Sequence, residues 1–279
     1  MNKIKNHVKN AVLLLVLFIT VSSCQKLARP AMGAYPADAN PPGGPLKFYV
    51  AFDGASTNIL MNSVDSIRAN FPSSVTGSIV DGGISGKCFK GSATAYAKYP
   101  GANDFTKSGS FTVAFWMKKT PQPSGSGTNF AFSLNAKGYS WTNTKMFLEF
   151  EDWSTTSVGN CKFYLMDNWT EYVNANGMPN VTNGNWHHLA FTYDGSSSTL
   201  KAYIDGTLFK TNSVGGGTLG PVNWGNFDDF TIGGPNQYTH DNNSWMGFWD
   251  GSSNYLDQFR LYGTVLADGD IAALYNGKK

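Results

Sequence analysis

The feature that most constrains this chain is a pair of alternating runs, WHHLAFTY and LKAYID, joined by Asp194-Gly195 and three serines. Side chains of a β-strand point alternately to its two faces, so the first run divides into two sets. One set is Trp186, His188, Ala190 and Thr192, and the other is His187, Leu189, Phe191 and Tyr193. One face is more apolar than the other, and Asp205-Gly206 supplies a second tight turn that needs positive φ. The pattern predicts an antiparallel meander.

Five more segments carry a resemblance to a known family. They are Phe52-Asp53-Gly54, GISGKCFKG (83–91), FTVAFWMKK (111–119), Ile232-Gly233-Gly234 and YLDQFRLYGTVLADGDIAALYN (255–276). With the hairpin, they resemble in order the laminin-G-like, concanavalin A-like jelly-roll domains, over residues 46–279. The resemblance implies an all-β fold, a two-sheet antiparallel β-sandwich with a short C-terminal helix. The residues themselves predict that helix over 269–275, with Asp268 as its N-cap.

The N-terminus predicts export. Three lysines precede an apolar run from Ala11 to Val21 that is too short to span a bilayer, which is typical of a signal peptide over residues 1–23. The following Val-Ser-Ser-Cys resembles the bacterial lipobox, which implies lipidation of Cys24. Acyl chains on Cys24 would anchor the protein to a membrane.

Residues 24–45 are rich in proline, alanine and glycine and lack apolar periodicity, which predicts a flexible tether between the lipidated cysteine and the folded domain. These features together place the protein in the bacterial cell envelope, at the outer membrane. Two locations stay open there, the periplasmic face and the cell surface.

The charge of the chain argues against nucleic acid as a partner. The full sequence has a net charge of +2, and loss of the three signal-peptide lysines changes this value to −1. Nucleic-acid-binding proteins carry clustered positive charge, which this composition does not supply.

Asp53 and Asp257 are candidate ligands of a structural calcium ion. They lie in the first and nearly last predicted strands, which are neighbours in related sandwiches, so the resemblance implies that they meet. Calcium takes six to eight oxygen ligands, and main-chain carbonyls would complete its shell. The alternative is that both aspartates have turn and strand-end roles.

Glu149 and Glu151 are the candidate catalytic pair. They are two residues apart on a predicted strand and therefore share a face, as do the carboxylates of glycoside hydrolases with this sandwich fold. Those hydrolases carry a Glu-x-Asp-x-(x)-Glu pattern. This chain has Trp153 or Ser154 at the position of the third carboxylate. The departure favours a solvated sheet face over catalysis.

Aromatic residues in polar surroundings predict a carbohydrate site. An exposed indole packs on the C–H face of a sugar, while amides and carboxylates bind its hydroxyls. The candidates are Trp141, Trp153, Trp169, Tyr172, Trp245, Trp249 and the loop residue His240. The alternative is that these rings pack under loops.

The remaining cysteines and histidines have structural interpretations. Cys88 and Cys161 have two possible states, a disulfide or two buried thiols, because sequence does not give their separation. His187 and His188 are adjacent on a strand, point to opposite faces and therefore do not share a metal ion.

The sequence thus predicts a membrane-anchored, non-catalytic carbohydrate-binding lipoprotein for glycan capture. Its expected partners are an oligo- or polysaccharide, the membrane and other envelope lipoproteins. Two alternative functions stay open, a glycoside hydrolase or lyase and a protein-interaction or adhesion module, because fold resemblance alone does not assign function.

Overall fold

The computed structural model of the protein describes residues 44–53, 74–75, 77–136, 144–225, 227–235, 241, 244–251 and 253–278. All of them belong to one compact unit, Tyr35–Lys279. The predicted signal peptide and Cys24 lie outside these ranges. No helix within the described ranges has the length and apolar character to cross a membrane.

The described residues form eighteen strands and one α-helix. In chain order they are β1 (Leu46–Val50), β2 (Ser74–Val75), β3 (Ser78–Asp81), β4 (Lys87–Lys90), β5 (Ala97–Tyr99), β6 (Phe111–Lys118), β7 (Thr128–Ala136), β8 (Met146–Phe150), β9 (Val158–Gly159), β10 (Cys161–Leu165), β11 (Asn168–Tyr172), β12 (Met178–Pro179), β13 (Trp186–Asp194), β14 (Thr199–Ile204), β15 (Thr207–Ser213), β16 (Phe227–Ile232), β17 (Met246–Gly247), β18 (Tyr255–Tyr262) and α1 (Asp268–Asn276).

Two eight-stranded sheets contain most of these strands. The first sheet has the order β15–β14–β13–β6–β18–β4–β3, and β1 pairs with the C-terminal part of β18 beside β4. The second sheet has the order β11–β10–β8–β7–β16–β5–β2, with β17 paired parallel to β7. Strands β9 and β12 form a separate pair. The predicted two-sheet antiparallel sandwich with a C-terminal helix is confirmed.

Aromatic side chains fill the space between the two sheets. Phe132 of the second sheet packs against Phe115 and Phe259 of the first sheet, with ring centroids 5.9 and 5.3 Å apart. All three rings are fully buried. Burial of each such ring contributes about 2 kcal/mol or more, so these rings stabilise the contact between the two sheets.

The predicted hairpin is confirmed as β13 and β14, paired from Leu189↔Ile204 to Asp194↔Thr199. Leu189, Phe191 and Tyr193 belong to the core between the sheets. The opposite face is buried as well, because α1 covers it and Ile271 packs against Ala190. The helix therefore explains why both faces of this strand exclude water.

The predicted N-cap of the helix is wrong by one residue. Asp268 is the first helical residue, and its carboxylate accepts hydrogen bonds from Tyr203 Oη (2.7 Å) and Lys201 Nζ (3.4 Å) of β14. The Asp270 carboxylate instead accepts the N–H of the cap residue Ala267 at 3.2 Å. Asp268 thus fastens the helix to the sheet rather than capping it.

Candidate functional site

The outer face of the second sheet carries several of the predicted site residues, including Trp169, Glu149 and Glu151. Strands β7, β8, β10 and β11 are antiparallel neighbours, so their side chains alternate between the core and this face. Phe147, Tyr164 and Trp169 are direct cross-strand partners and form one row on it. In the next row, Lys162 lies between Glu149 and Glu171.

Five rings join into a continuous aromatic band across this face, formed by Trp169, Tyr164, Phe147, Phe130 and Trp245. Successive centroids are 5.0, 4.6, 4.8 and 5.9 Å apart. The three inner rings are buried, whereas Trp169 and Trp245 at the two ends are 39% and 37% exposed. The band therefore presents two exposed indoles on a rigid aromatic base.

Charged groups border the Trp169 end of the aromatic band. Lys162 Nζ lies 5.8 Å from the centroid of the Trp169 ring, contacts the Glu151 carboxylate and lies 3.9 Å from Glu171 Oε1. The Glu171 side chain is 53% exposed, so its carboxylate is accessible next to the indole. This combination of an apolar face with nearby ionic groups suits a ligand that has both C–H and hydroxyl surfaces.

Glu149 and Glu151 are both buried, so the predicted solvated sheet face is wrong at these positions, and the two differ in their partners. The Oε2 atom of Glu149 has no hydrogen-bond partner within the described ranges. Burial, and then the negative charge of Glu151, raise the pKa of Glu149 to about 8. Glu151 instead has Lys162 as its counter-ion. The two glutamates therefore have opposite environments although they lie beside the same lysine.

A buried polar network continues the face on β7 and β16. Ser133 Oγ and Thr231 Oγ1 share a hydrogen bond of 2.6 Å, and Asn135 Nδ2 donates to Asp229 Oδ1 at 2.7 Å. Ser133 is the cross-strand partner of Phe147, so the network adjoins the aromatic band. These polar residues were missed by the sequence analysis, although their alternation with Phe132, Leu134 and Phe230 is the signal that would have found them.

A family model, the concanavalin A-like lectin/glucanases superfamily, matches residues 90–272. The chain belongs to this superfamily. A comparison with curated protein sequences found no match.

Solved structures with the same fold include members of different functional classes. Domain 4 of AbnA, an extracellular arabinanase from Geobacillus stearothermophilus solved with arabinotriose, is 19% identical with a TM-score of 0.51. The match covers 82% of this chain and 98% of that domain. The binding domain of botulinum neurotoxin serotype D/C is 14% identical with a TM-score of 0.56, over 84% of this chain and 52% of that one. This concanavalin A-like chain thus matches about half the length of the toxin domain.

Two predicted ligand contacts of this concanavalin A-like domain are corrected by burial. Trp249 is fully buried against Phe150, with centroids 5.6 Å apart, and Tyr172 faces the core and accepts a hydrogen bond from Asn212 Nδ2. Neither ring has surface available to a ligand. Trp153, in contrast, is 41% exposed in the loop after β8. Trp141 and His240 lie outside the described residues.

Asp53 and Asp257 approach the same loop, residues 82–86 between β3 and β4. Asp53 Oδ1 accepts the Lys87 N–H at 2.7 Å, and Asp257 Oδ2 accepts the Ile84 N–H at 2.8 Å. Burial, with a further contribution from the charge of Asp53, raises the pKa of Asp257 to about 8. A bulge in β18 after Asp257 accompanies this arrangement.

Carboxylate oxygens are the ligands that a hard cation such as calcium takes, and here Asp53 Oδ1 and both Asp257 oxygens accept main-chain N–H groups. A Cβ atom at Gly83 would lie 2.6 Å from Asp257 Oδ2, so the loop backbone comes as close to the carboxylate as only glycine allows. Within the described ranges, no group of three or more His, Cys, Asp or Glu side chains is placed to hold a metal ion. Main-chain oxygens would therefore supply the other ligands, as calcium accepts.

The cysteines and histidines have structural roles. Cys88 and Cys161 are free, buried thiols in different sheets, so the possible disulfide is not formed. His187 Nδ1 lies 2.8 Å from Asp205 Oδ2, which connects β13 to the turn after β14. His188 is buried under α1 on the opposite face of the strand, next to Trp116.

Proposed function

We propose that this chain is a membrane-anchored, non-catalytic carbohydrate-binding module that captures glycans in the bacterial cell envelope. The observation that carries the proposal is the aromatic band, which holds Trp169 and Trp245 exposed at its two ends. A sugar ring would pack on Trp169 while Glu171 accepts hydrogen bonds from its hydroxyls. Two indoles on one face favour an oligosaccharide over a single terminal sugar.

The likeness to domain 4 of the arabinanase, which was solved with arabinotriose, supports sugar binding as a use of this fold. The likeness to the toxin binding domain, solved also with rat synaptotagmin II, supports the alternative of protein binding. The exposed tryptophans favour the first function, because an indole beside a carboxylate offers both surfaces that a sugar presents.

A glycan array tests the proposal with the full chain, kept in a detergent that has no sugar headgroup. We expect binding that decreases at least about tenfold in Trp169→Ala, because stacking and its hydrogen bonds are lost together. Glu171→Gln keeps the shape of the side chain and removes its charge, so it tests the contribution of the Glu171 carboxylate separately from stacking on Trp169. Absence of binding by the wild-type chain to every glycan on the array would refute the proposal. Co-purification of a protein in stoichiometric amount would then favour an adhesion module.

We further propose that acylated Cys24 anchors the protein, with residues 24–45 as the tether, at the outer membrane. Cys24→Ala would then move the protein from the membrane fraction to the soluble fraction. Retention of that variant with the membrane would contradict the anchor. Protease treatment of intact cells would distinguish the cell surface from the periplasmic face.

A calcium ion at Asp53 and Asp257 is part of the proposal as a structural cofactor. It would neutralise two carboxylates that otherwise repel each other across the loop of residues 82–86. Such an ion would stabilise the end of the first sheet where β1, β4 and β18 meet.

The alternative enzymatic function rests on the contrast between Glu149 and Glu151. A buried carboxyl with a raised pKa beside a carboxylate that contacts a lysine is the kind of contrast that acid/base catalysis uses. If the chain is a hydrolase or lyase that uses this pair, the Glu149→Gln variant should no longer form product from polysaccharide. Absence of activity of the wild-type chain on a polysaccharide panel would exclude it.

A further inference from the structure

A cleft of about 250 Å³ lies at one end of the sandwich, and none of the predicted site residues is part of its lining. One wall is the loop after β6, which contributes Pro121, Gln122 and Pro123, and the other wall includes Asp250 and Asn254 before β18. The two walls meet because β6 and β18 are antiparallel neighbours, with Lys118 opposite Tyr255. Asn254 Oδ1 accepts the Thr120 N–H at 3.1 Å and joins the walls. The cleft is therefore preformed.

Lys119 lies directly beneath this cleft. Its Nζ donates to Gln122 Oε1 at 3.2 Å and to Asn129 Oδ1 at 2.7 Å, and the side chain is fully buried. The ammonium also lies 5.0 Å from the ring centroid of Trp249 and 5.9 Å from that of Phe150. Gln122 both lines the cleft and contacts the amine, so one side-chain group separates Nζ from a ligand.

Lys119 Nζ has no ion-pair partner among the residues that the structure describes. Its two oxygen partners are neutral amides. Burial lowers the pKa of Lys119 to about 7, and Asp250 raises it in part from a longer distance. Buried charges in proteins are normally paired, whereas the nearest acidic group on the cleft side, Asp250, lies beyond ion-pair distance of Nζ.

We propose that the cleft binds a single sugar ring that carries a carboxylate, as in a uronic acid, with Lys119 as the counter-ion. The Oε1 atom of Gln122 occupies the place that a carboxylate oxygen of the ligand takes when Gln122 turns aside. Pro121 and Pro123 give an apolar wall for the ring, and Asp250 accepts hydrogen bonds from its hydroxyls. A volume of about 250 Å³ suits a ligand of this size rather than a chain.

The test compares D-glucuronate with D-glucose by ligand-observed NMR titration of the full chain in sugar-free detergent. We expect glucuronate to bind at least about tenfold more tightly, because it alone pairs with the buried ammonium. Lys119→Met should remove this preference, while Lys118→Met, at the neighbouring lysine outside the cleft lining, should keep it. Equal binding of the two sugars, or an unchanged preference in Lys119→Met, overturns the proposal.

A second variant addresses the case in which Lys119→Met does not fold. Gln122→Glu places a carboxylate within reach of Nζ and should abolish glucuronate binding, whereas the control Gln122→Ala should keep it. Unchanged binding in Gln122→Glu overturns the proposal. The proposal is independent of the aromatic band, so Trp169→Ala should leave glucuronate binding intact even where it removes array binding.

Discussion

Phe147 and Tyr164 stack with ring centroids 4.6 Å apart and 5° between their planes, and both rings contact the edge of Trp169. The two buried rings thus pack beneath the exposed indole of Trp169. The same chain contains another indole, Trp249, that is fully buried over Lys119. The two tryptophans therefore allow ligand contact and core packing to be tested separately.

The first prediction contrasts these two indoles. Trp169→Ala loses the contacts of its ring with Phe147 and Tyr164. Apart from that loss, it should lower the free energy of unfolding by about 1 kcal/mol or less, since the outer face of the indole is already in water. Trp249→Ala should cost about 3–5 kcal/mol, because it leaves a cavity in the core. Urea unfolding of both variants gives the comparison. A larger loss in Trp169→Ala than in Trp249→Ala would contradict the assignment.

The second prediction concerns the pH dependence that Glu149 imposes. Its pKa is about 8 in the folded chain and about 4.3 in an unfolded one, so the unfolded state releases a proton between these values. The contribution of Glu149 to stability is present below about pH 4.3 and is lost as pH rises towards 8. Relative to wild type, Glu149→Gln should become progressively more stable over that window. A difference that is constant with pH would contradict the buried acid.

The third prediction has the opposite sign and concerns Lys119. Its folded pKa of about 7 lies below the unfolded value of about 10.4, so the unfolded state binds the extra proton between them. The stability contribution is present above about pH 10.4 and is lost as pH falls through 7. Chemical unfolding at several pH values should show Lys119→Met gaining stability over wild type as pH falls. Lys118→Met, at the half-buried last residue of β6, is the matched control.

The fourth prediction tests the calcium proposal. EDTA should lower the melting temperature of wild type, and added calcium should restore it, since an ion that binds only the folded state stabilises by about 2.7 kcal/mol at a hundred times its Kd. Asp257→Asn should abolish the response. Asp250→Asn, a substitution of an exposed aspartate away from the loop of residues 82–86, should keep it. The same melting temperature in EDTA and in calcium would contradict the calcium site.

Alternation in the sequence predicted the hairpin of β13 and β14 and the shared face of Glu149 and Glu151, whereas the two-sheet fold and the approach of Asp53 to Asp257 were predicted from the resemblance. A period of two assigns every strand residue to one of two faces. The same rule, applied to FLEF and KFYL, would also have grouped Phe147, Lys162 and Tyr164 with Glu149. The predicted anchor at Cys24 stays a prediction.

The exposure of each tryptophan was decided only by the tertiary structure. Trp153, Trp169, Trp245 and Trp249 all lie among polar neighbours in the sequence, yet only Trp249 is fully buried. Its position depends on contacts with Phe150 and Lys119, which are distant along the chain. Likewise, Lys119 has no sequence signal of burial, because the groups that surround it come from three separate segments. Strand periodicity is a local property of the backbone and was determined by the sequence itself, whereas burial depends on which distant segments pack together, and the tertiary structure alone decided that.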